Sequence, residues 1–66
     1  MGIGDPVDVI FSGGGPVRKA RICDFPSPGR VKVKLDSAFI DGQIEIEVPQ
    51  SALKSDGQGG WTLTLP

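Results

Sequence analysis

The sequence predicts an all-β fold, five short strands curled into a small barrel, and three observations lead there. Arg30-Val31-Lys32-Val33-Lys34-Leu35 alternates charged and apolar side chains without a break. Ile44-Glu45-Ile46-Glu47-Val48 does the same with the opposite charge. Ten glycines and six prolines cut the 66 residues into pieces of strand length, and no stretch has the period of an amphipathic helix. On a strand successive side chains face opposite ways, so each alternating run has one apolar and one charged face. Placing Leu35 opposite Ile44 sets Val33 on Ile46, Val31 on Val48, Lys34 on Glu45 and Lys32 on Glu47. A slip of one residue destroys both the apolar and the ionic matches, which makes this antiparallel hairpin the best-specified part of the chain.

Met1 to Gly4 reads as a flexible leader, and residues 5–66 as a single domain. Asp5-Pro6 opens the first strand, with Val7, Val9 and Phe11 on one face and Asp8 and Ile10 on the other. Ile10 interrupts the polar face, so this strand is either covered on both sides or meets a partner. Ser12-Gly13-Gly14-Gly15-Pro16 ends it. The glycine run lacks the lysine and hydroxyl of a phosphate loop and no helix follows, which leaves a turn. The second strand, from about Val17 to Phe25, turns Ala20 and Ile22 inward and Lys19, Arg21 and Cys23 outward.

Pro26-Ser27-Pro28-Gly29 is the turn into the third strand. Pairing across it puts Ile22 beside Val33 and Ala20 beside Leu35, but also Arg21 beside Lys34 and Asp24 beside Val31. A bulge near Asp24 is the expected relief. Residues 36–43 join the third and fourth strands, with Asp41-Gly42 as a turn pair and Phe39 as either a lid over the barrel end or an exposed contact. Pro49 stops the fourth strand and predicts one 3₁₀ turn before Leu53, which tucks under the barrel. Lys54 to Gly60 is polar, glycine-rich and expected to be mobile. Trp61-Thr62-Leu63-Thr64-Leu65 closes the barrel, with Trp61, Leu63 and Leu65 on one face.

So short a chain buries a core that barely exceeds the entropy of ordering it. One cysteine and no histidine leave neither a disulfide nor a zinc site to help, so no metal or cofactor is expected. Self-association is the remaining way to bury more surface, and a homo-oligomer is expected. The lone thiol and the lack of a signal-like or membrane-length apolar segment predict a soluble, cytoplasmic protein with no membrane partner.

The net charge of −1 is unevenly spread. Arg18, Lys19, Arg21, Arg30, Lys32 and Lys34 hold six of the seven positive charges. General acid–base work has no histidine or tyrosine to use, and the serines lie in turns without a base. Glu45 and Glu47 have the spacing of a carboxylate pair on one strand face, but Lys34 and Lys32 stand ready as cross-strand partners. Catalysis is therefore not expected.

The order of five short strands, a glycine-rich first loop and a 3₁₀ turn before the last strand resembles an SH3-like small barrel. Gly4-Asp5-Pro6-Val7-Asp8-Val9, Gly14-Gly15-Pro16-Val17-Arg18 and Ala20-Arg21-Ile22 are similar to the opening of a KOW-type barrel. That resemblance implies contact with RNA or protein through loops and the strand that follows. The size and the strand, short turn and Ala52-Leu53 ending also resemble the type II plasmid-borne dihydrofolate reductases. There, Gln43-Ile44-Glu45-Ile46-Glu47 stands where that family carries a Val-Gln-Ile-Tyr stretch lining a tetramer's pore. The glutamine and tyrosine are not reproduced, and Glu45 and Glu47 would repel anionic folate and NADPH, so the reductase chemistry is disfavoured.

Two contact functions follow. The first is a binding module acting on protein or on copies of itself, with Ile10, Phe39 and Trp61 as candidate interface residues. The second is KOW-like nucleic-acid binding, with Arg18, Lys19, Arg21 and Arg30 as candidate phosphate contacts. Stacking aromatics are scarce in the basic stretch, where only Phe25 is available.

Overall fold

The computed structural model describes residues 1–36 and 44–66. The described residues are all-β, with six strands in one curled sheet that forms a half-barrel. The strands are β1 (Pro6–Phe11), β2 (Arg18–Asp24), β3 (Arg30–Leu35), β4 (Glu45–Pro49), β5 (Leu53–Ser55) and β6 (Trp61–Leu65). Their spatial order is β4-β3-β2-β1-β6-β5. Neighbours pair antiparallel except β1 and β6, which run parallel with Val7 beside Trp61 and Phe11 beside Leu65. Among the described residues no helix is long and apolar enough to cross a membrane.

The alternating runs pair as their pattern dictates: Val31 with Val48, Lys32 with Glu47, Val33 with Ile46 and Lys34 with Glu45. The Leu35 amide donates to the Ile44 carbonyl at 2.9 Å. Val31 and Val33 are fully buried, with 0% of their surface exposed. On the other side of β3, Ala20 meets Leu35 and Ile22 meets Val33. The expected bulge falls between Ile22 and Asp24, so Asp24 sits beside Lys32 rather than beside Val31. One extra residue on β2 thereby turns an acid away from a valine and onto a lysine.

Val7, Val9, Ala20, Ile22, Val31, Val33, Val48, Leu53 and Leu63 form the core, with Phe25, Leu35, Ile46, Ala52, Trp61 and Leu65 packed against it. The 3₁₀ turn is Gln50–Ala52, directly after Pro49. Pro49 stands opposite Arg30 at a position where β3 and β4 exchange no hydrogen bond, so its missing N–H costs the ladder nothing.

The strand count is six rather than the expected five, because the stretch after Leu53 is a hairpin arm instead of a mobile connection. Leu53 pairs with Leu63 and Ser55 with Trp61. Asp56 organises the hairpin loop: its Oδ1 accepts from the Gln58 amide at 2.6 Å and from the Gly60 amide at 3.1 Å. An aspartate that bonds its own backbone two residues on is a turn-former, which the glycines around it obscured in the sequence. Gly60 is buried, and a Cβ there would lie 2.7 Å from the Asp56 carboxylate and 3.3 Å from Pro6.

The segment read as a leader is also hydrogen bonded. The Asp5 amide donates to the Gly2 carbonyl at 3.1 Å, and the Gly4 amide to the Ile22 carbonyl at 2.8 Å. Gly4 takes φ +90°, the left-handed value that the third position of such a turn requires.

Replacing Val33 by alanine removes buried methyl groups from the centre of the sheet. It is expected to lower the unfolding free energy by about 2–3 kcal/mol, out of about 3–10 kcal/mol for a domain of this size. Urea denaturation followed by Trp61 fluorescence measures this, and a loss below about 0.5 kcal/mol would contradict the buried placement.

Candidate functional site

The outer face of the sheet carries the charges, and its ion pairs are mostly diagonal. Lys19 Nζ lies 2.8 Å from Asp8 Oδ1, directly across β1 and β2. Arg21 faces Lys34 in the ladder, as expected, but its guanidinium reaches diagonally to Asp36 at 3.6 Å. Between β3 and β4 the pairs are Arg30 with Glu47 at 3.2 Å and Lys32 with Glu45 at 3.7 Å. The partners expected from direct opposition were Lys32 for Glu47 and Lys34 for Glu45. Both glutamates instead bond the cation two residues along, since diagonal neighbours are within reach of long side chains on a pleated sheet.

Three of the four candidate phosphate contacts, Lys19, Arg21 and Arg30, therefore hold carboxylates. Lys19 and Arg30, which lie near loops and have no obvious carboxylate partner in the sequence, both find one, in Asp8 and Glu47. Arg18 is exposed at the start of β2, and no carboxylate among the described residues lies within ion-pair distance of it. These pairs are well solvated, so each contributes at most about 1 kcal/mol to stability. They are also free to exchange partners.

An apolar patch interrupts this face. Ile10 is 37% and Val17 50% exposed. The β1–β2 pairing ends with Val9 opposite Arg18; Ile10 is the next residue on β1 and Val17 the residue just before β2. Phe11, on the inner face at the same end of the barrel, is 36% exposed. Sequence reasoning singled out Ile10 but not Val17, because Val17 precedes the alternating part of β2.

Trp61 does not join this patch. It lies beside Val7 whereas Ile10 lies beside Thr64, about 10 Å further along at the usual strand rise. It also packs against the core on the inner face, while Ile10 points outward with Asp8. The third candidate interface residue, Phe39, lies outside the described residues, as do Ile40 and the Asp41-Gly42 turn pair.

Trp61 instead anchors the other end of the barrel. Its indole Nε1–H donates to Asp5 Oδ2 at 3.2 Å, and the Gly2 amide donates to the same oxygen at 2.9 Å. Hydrogen bonds to the charged carboxylate, first from Gly2 and then from Trp61, hold Asp5 below its ordinary pKa of 3.8.

Cys23 is the extra residue of the β2 bulge, and its thiol donates to the Lys32 carbonyl at 3.4 Å. Desolvation, and after it the negative charge of Glu45, pushes the thiol above its ordinary 9.0. At neutral pH it is a packed thiol rather than a thiolate nucleophile. No family model matches the sequence, and neither a curated protein nor a solved structure matches it.

A carboxylate whose folded pKa is lowered stabilises the fold above its unfolded pKa and loses that contribution as pH falls through the folded value. Asp5→Asn is accordingly expected to be less stable than the unaltered chain at about pH 7, and the difference is expected to shrink at about pH 3 and below. Urea titrations at both pH values, read by Trp61 fluorescence, test this. A difference independent of pH would show that Asp5 contributes nothing through its charge.

Proposed function

We propose that this chain is a non-catalytic binding module, a small barrel that works by contact with protein, a second copy of itself included. The observation that carries the reading is the exposure of Ile10 and Val17, two apolar side chains where β1 and β2 run out beyond the Asp8–Lys19 ion pair. Few exposed surfaces of so small a domain are contiguous and apolar, and such patches belong to interaction sites. Burying the patch adds to a core that has nine buried hydrophobic residues among the described ones, in a chain of 66 residues whose size leaves little room for a larger interior. Among small barrels the order of the strands and the 3₁₀ turn favour an SH3-like, KOW-type relationship, and the lone reduced thiol favours a cytoplasmic setting. Glu45 and Glu47, engaged with Lys32 and Arg30, give no support to a reductase-like pore.

Nucleic-acid binding is the second reading, and Arg18 is the observation in its favour. It is an exposed cation without a described carboxylate partner, next to Val17 at the rim of the barrel. Lys19, Arg21 and Arg30 would have to exchange Asp8, Asp36 and Glu47 for phosphates, which weakens any such binding.

Sedimentation equilibrium is expected to give a mass above the 6.9 kDa of one chain, and Ile10→Lys is expected to reduce it to one chain. A mass of one chain that Ile10→Lys leaves unchanged would remove self-association. Fluorescence anisotropy with a labelled single-stranded oligonucleotide at low salt decides the second reading, which requires binding that weakens steeply with salt.

A further inference from the structure

We propose that the free edge of β4 receives an extended segment of a partner protein as an added strand, one that alternates Lys or Arg with aliphatic residues. The inference rests on the protein-contact reading but uses a surface apart from the Ile10–Val17 patch.

The hydrogen-bond phase of the β3–β4 ladder fixes what this edge presents. The Leu35 amide donates to the Ile44 carbonyl, and the Gln50 amide donates to the Gly29 carbonyl at 2.8 Å. Alternate residues of an antiparallel strand bond the same neighbour, so Ile44, Ile46 and Val48 direct their backbone groups at β3. Glu45, Glu47 and Pro49 then direct theirs away from it. β4 is a terminal strand of the sheet, and no described strand pairs with that side. The edge offers the amides and carbonyls of Glu45 and Glu47 and the carbonyl of Pro49. Pro49 has no amide to give and marks where an added strand must stop.

The side chains state which strand is accepted. Glu45 and Glu47 point to the outer face with side chains 43% and 42% exposed. A directly opposite lysine or arginine would be attracted, and a directly opposite carboxylate repelled. On the inner face the cover thins along the strand, from Val48 at 8% exposed through half-buried Ile46 to Ile44 at 37%. Aliphatic side chains on the inner face of an added strand would complete that cover. The required pattern is the one β3 already supplies on the opposite side of β4, with Arg30 and Lys32 on the glutamates and Val31 and Val33 on Val48 and Ile46.

A second copy of β4 does not fit, since antiparallel pairing about Ile46 sets Glu45 of each chain against Glu47 of the other. The β5 edge of a second copy offers three residues and one cation, Lys54. Strand addition gains its affinity from main-chain bonds and its specificity from alternate side chains, and this edge carries both requirements.

The test uses a fluorescein-labelled, amide-capped peptide copying Arg30–Leu35, titrated with the whole protein and read by anisotropy. Binding is expected, and a peptide with glutamate in place of each lysine and arginine is expected to bind at least about tenfold more weakly. N-methylation of alternate peptide residues is expected to weaken binding at least about tenfold in one phase and little in the other. Equal binding by both N-methylated phases would mean charge adsorption alone and overturn the proposal, as would no binding at low salt. Glu45→Gln/Glu47→Gln is expected to weaken binding severalfold. If that variant does not fold, the peptide arms on the unaltered protein decide the matter.

Ile10→Lys is expected to retain the peptide, so loss of self-association and loss of strand addition are told apart. A mass above one chain that falls to one chain with Glu45→Gln/Glu47→Gln, in the absence of peptide, would assign the edge to a second copy and overturn the proposal.

Discussion

Two valines on one strand constrain everything else in this fold. Val31 and Val33 are wholly enclosed, and β3 lies between β2 and β4, so its inner face must satisfy two neighbours at once. The period of two leaves a single solution on the β4 side, with Val48 and Ile46 against them. On the β2 side the same valines require Ile22 against Val33, yet continuing that register would bring Asp24 onto Val31. The chain inserts Cys23 as an extra residue and goes on with Asp24 beside Lys32. The bulge is thus a consequence of core packing. It places the thiol of Cys23 between the two strands, where it bonds the Lys32 carbonyl and desolvation raises its pKa above the ordinary 9.0.

The ends of the half-barrel are held by local polar devices rather than by more core. Asp5 collects the Gly2 amide and the Trp61 indole, tying the first turn of the chain to β6 across the whole length of the sequence. Asp56 gathers the amides of Gln58 and Gly60 and so closes the hairpin that presents Trp61. Such charge-assisted and loop-closing bonds matter because the total they add to is small. They also explain why β1 and β6 can lie parallel. The covalent path between them passes through every other strand, and Asp5 with Trp61 fixes the shared register at one end.

How much of this was legible depended on whether a residue's role was set by its neighbours in sequence or by its neighbours in space. The β3–β4 hairpin, the register of β2 on β3 and the bulge near Asp24 were all readable, since each follows from alternation in runs a few residues apart. The short strand β5 was not. Leu53-Lys54-Ser55 is three residues long, and only its pairing with β6, across a loop built by Asp56, makes it a strand. Polar composition hid that loop, and a glycine-rich start to the chain hid the turn from Gly2 to Asp5. At the candidate site, Ile10 stood out as an apolar break in an alternating face, whereas Val17 emerged only from its exposure beside the start of β2. Trp61 drew attention as a lone aromatic, and the structure adds that it is half-buried with its indole bonded to Asp5.

The two edges of the sheet carry the remaining question of specificity. An open edge is a hazard because its unpaired amides and carbonyls accept any strand, and charge and proline are the usual protections. β4 has both, with Glu45 and Glu47 on its outer face and Pro49 at its end, while β5 is protected by being three residues long. Protection by charge differs in kind from protection by shortness. A short edge refuses every strand, but an acidic edge refuses acidic and neutral strands far more than basic ones, because the same carboxylates that repel a copy of β4 attract lysine and arginine. Glu45 and Glu47 are already bonded to Lys32 and Arg30, so an added strand must share them. A carboxylate has acceptor capacity for more than one cation, and at these exposures sharing costs little. The feature that keeps the sheet from stacking on itself is therefore also the feature that gives its edge a preference.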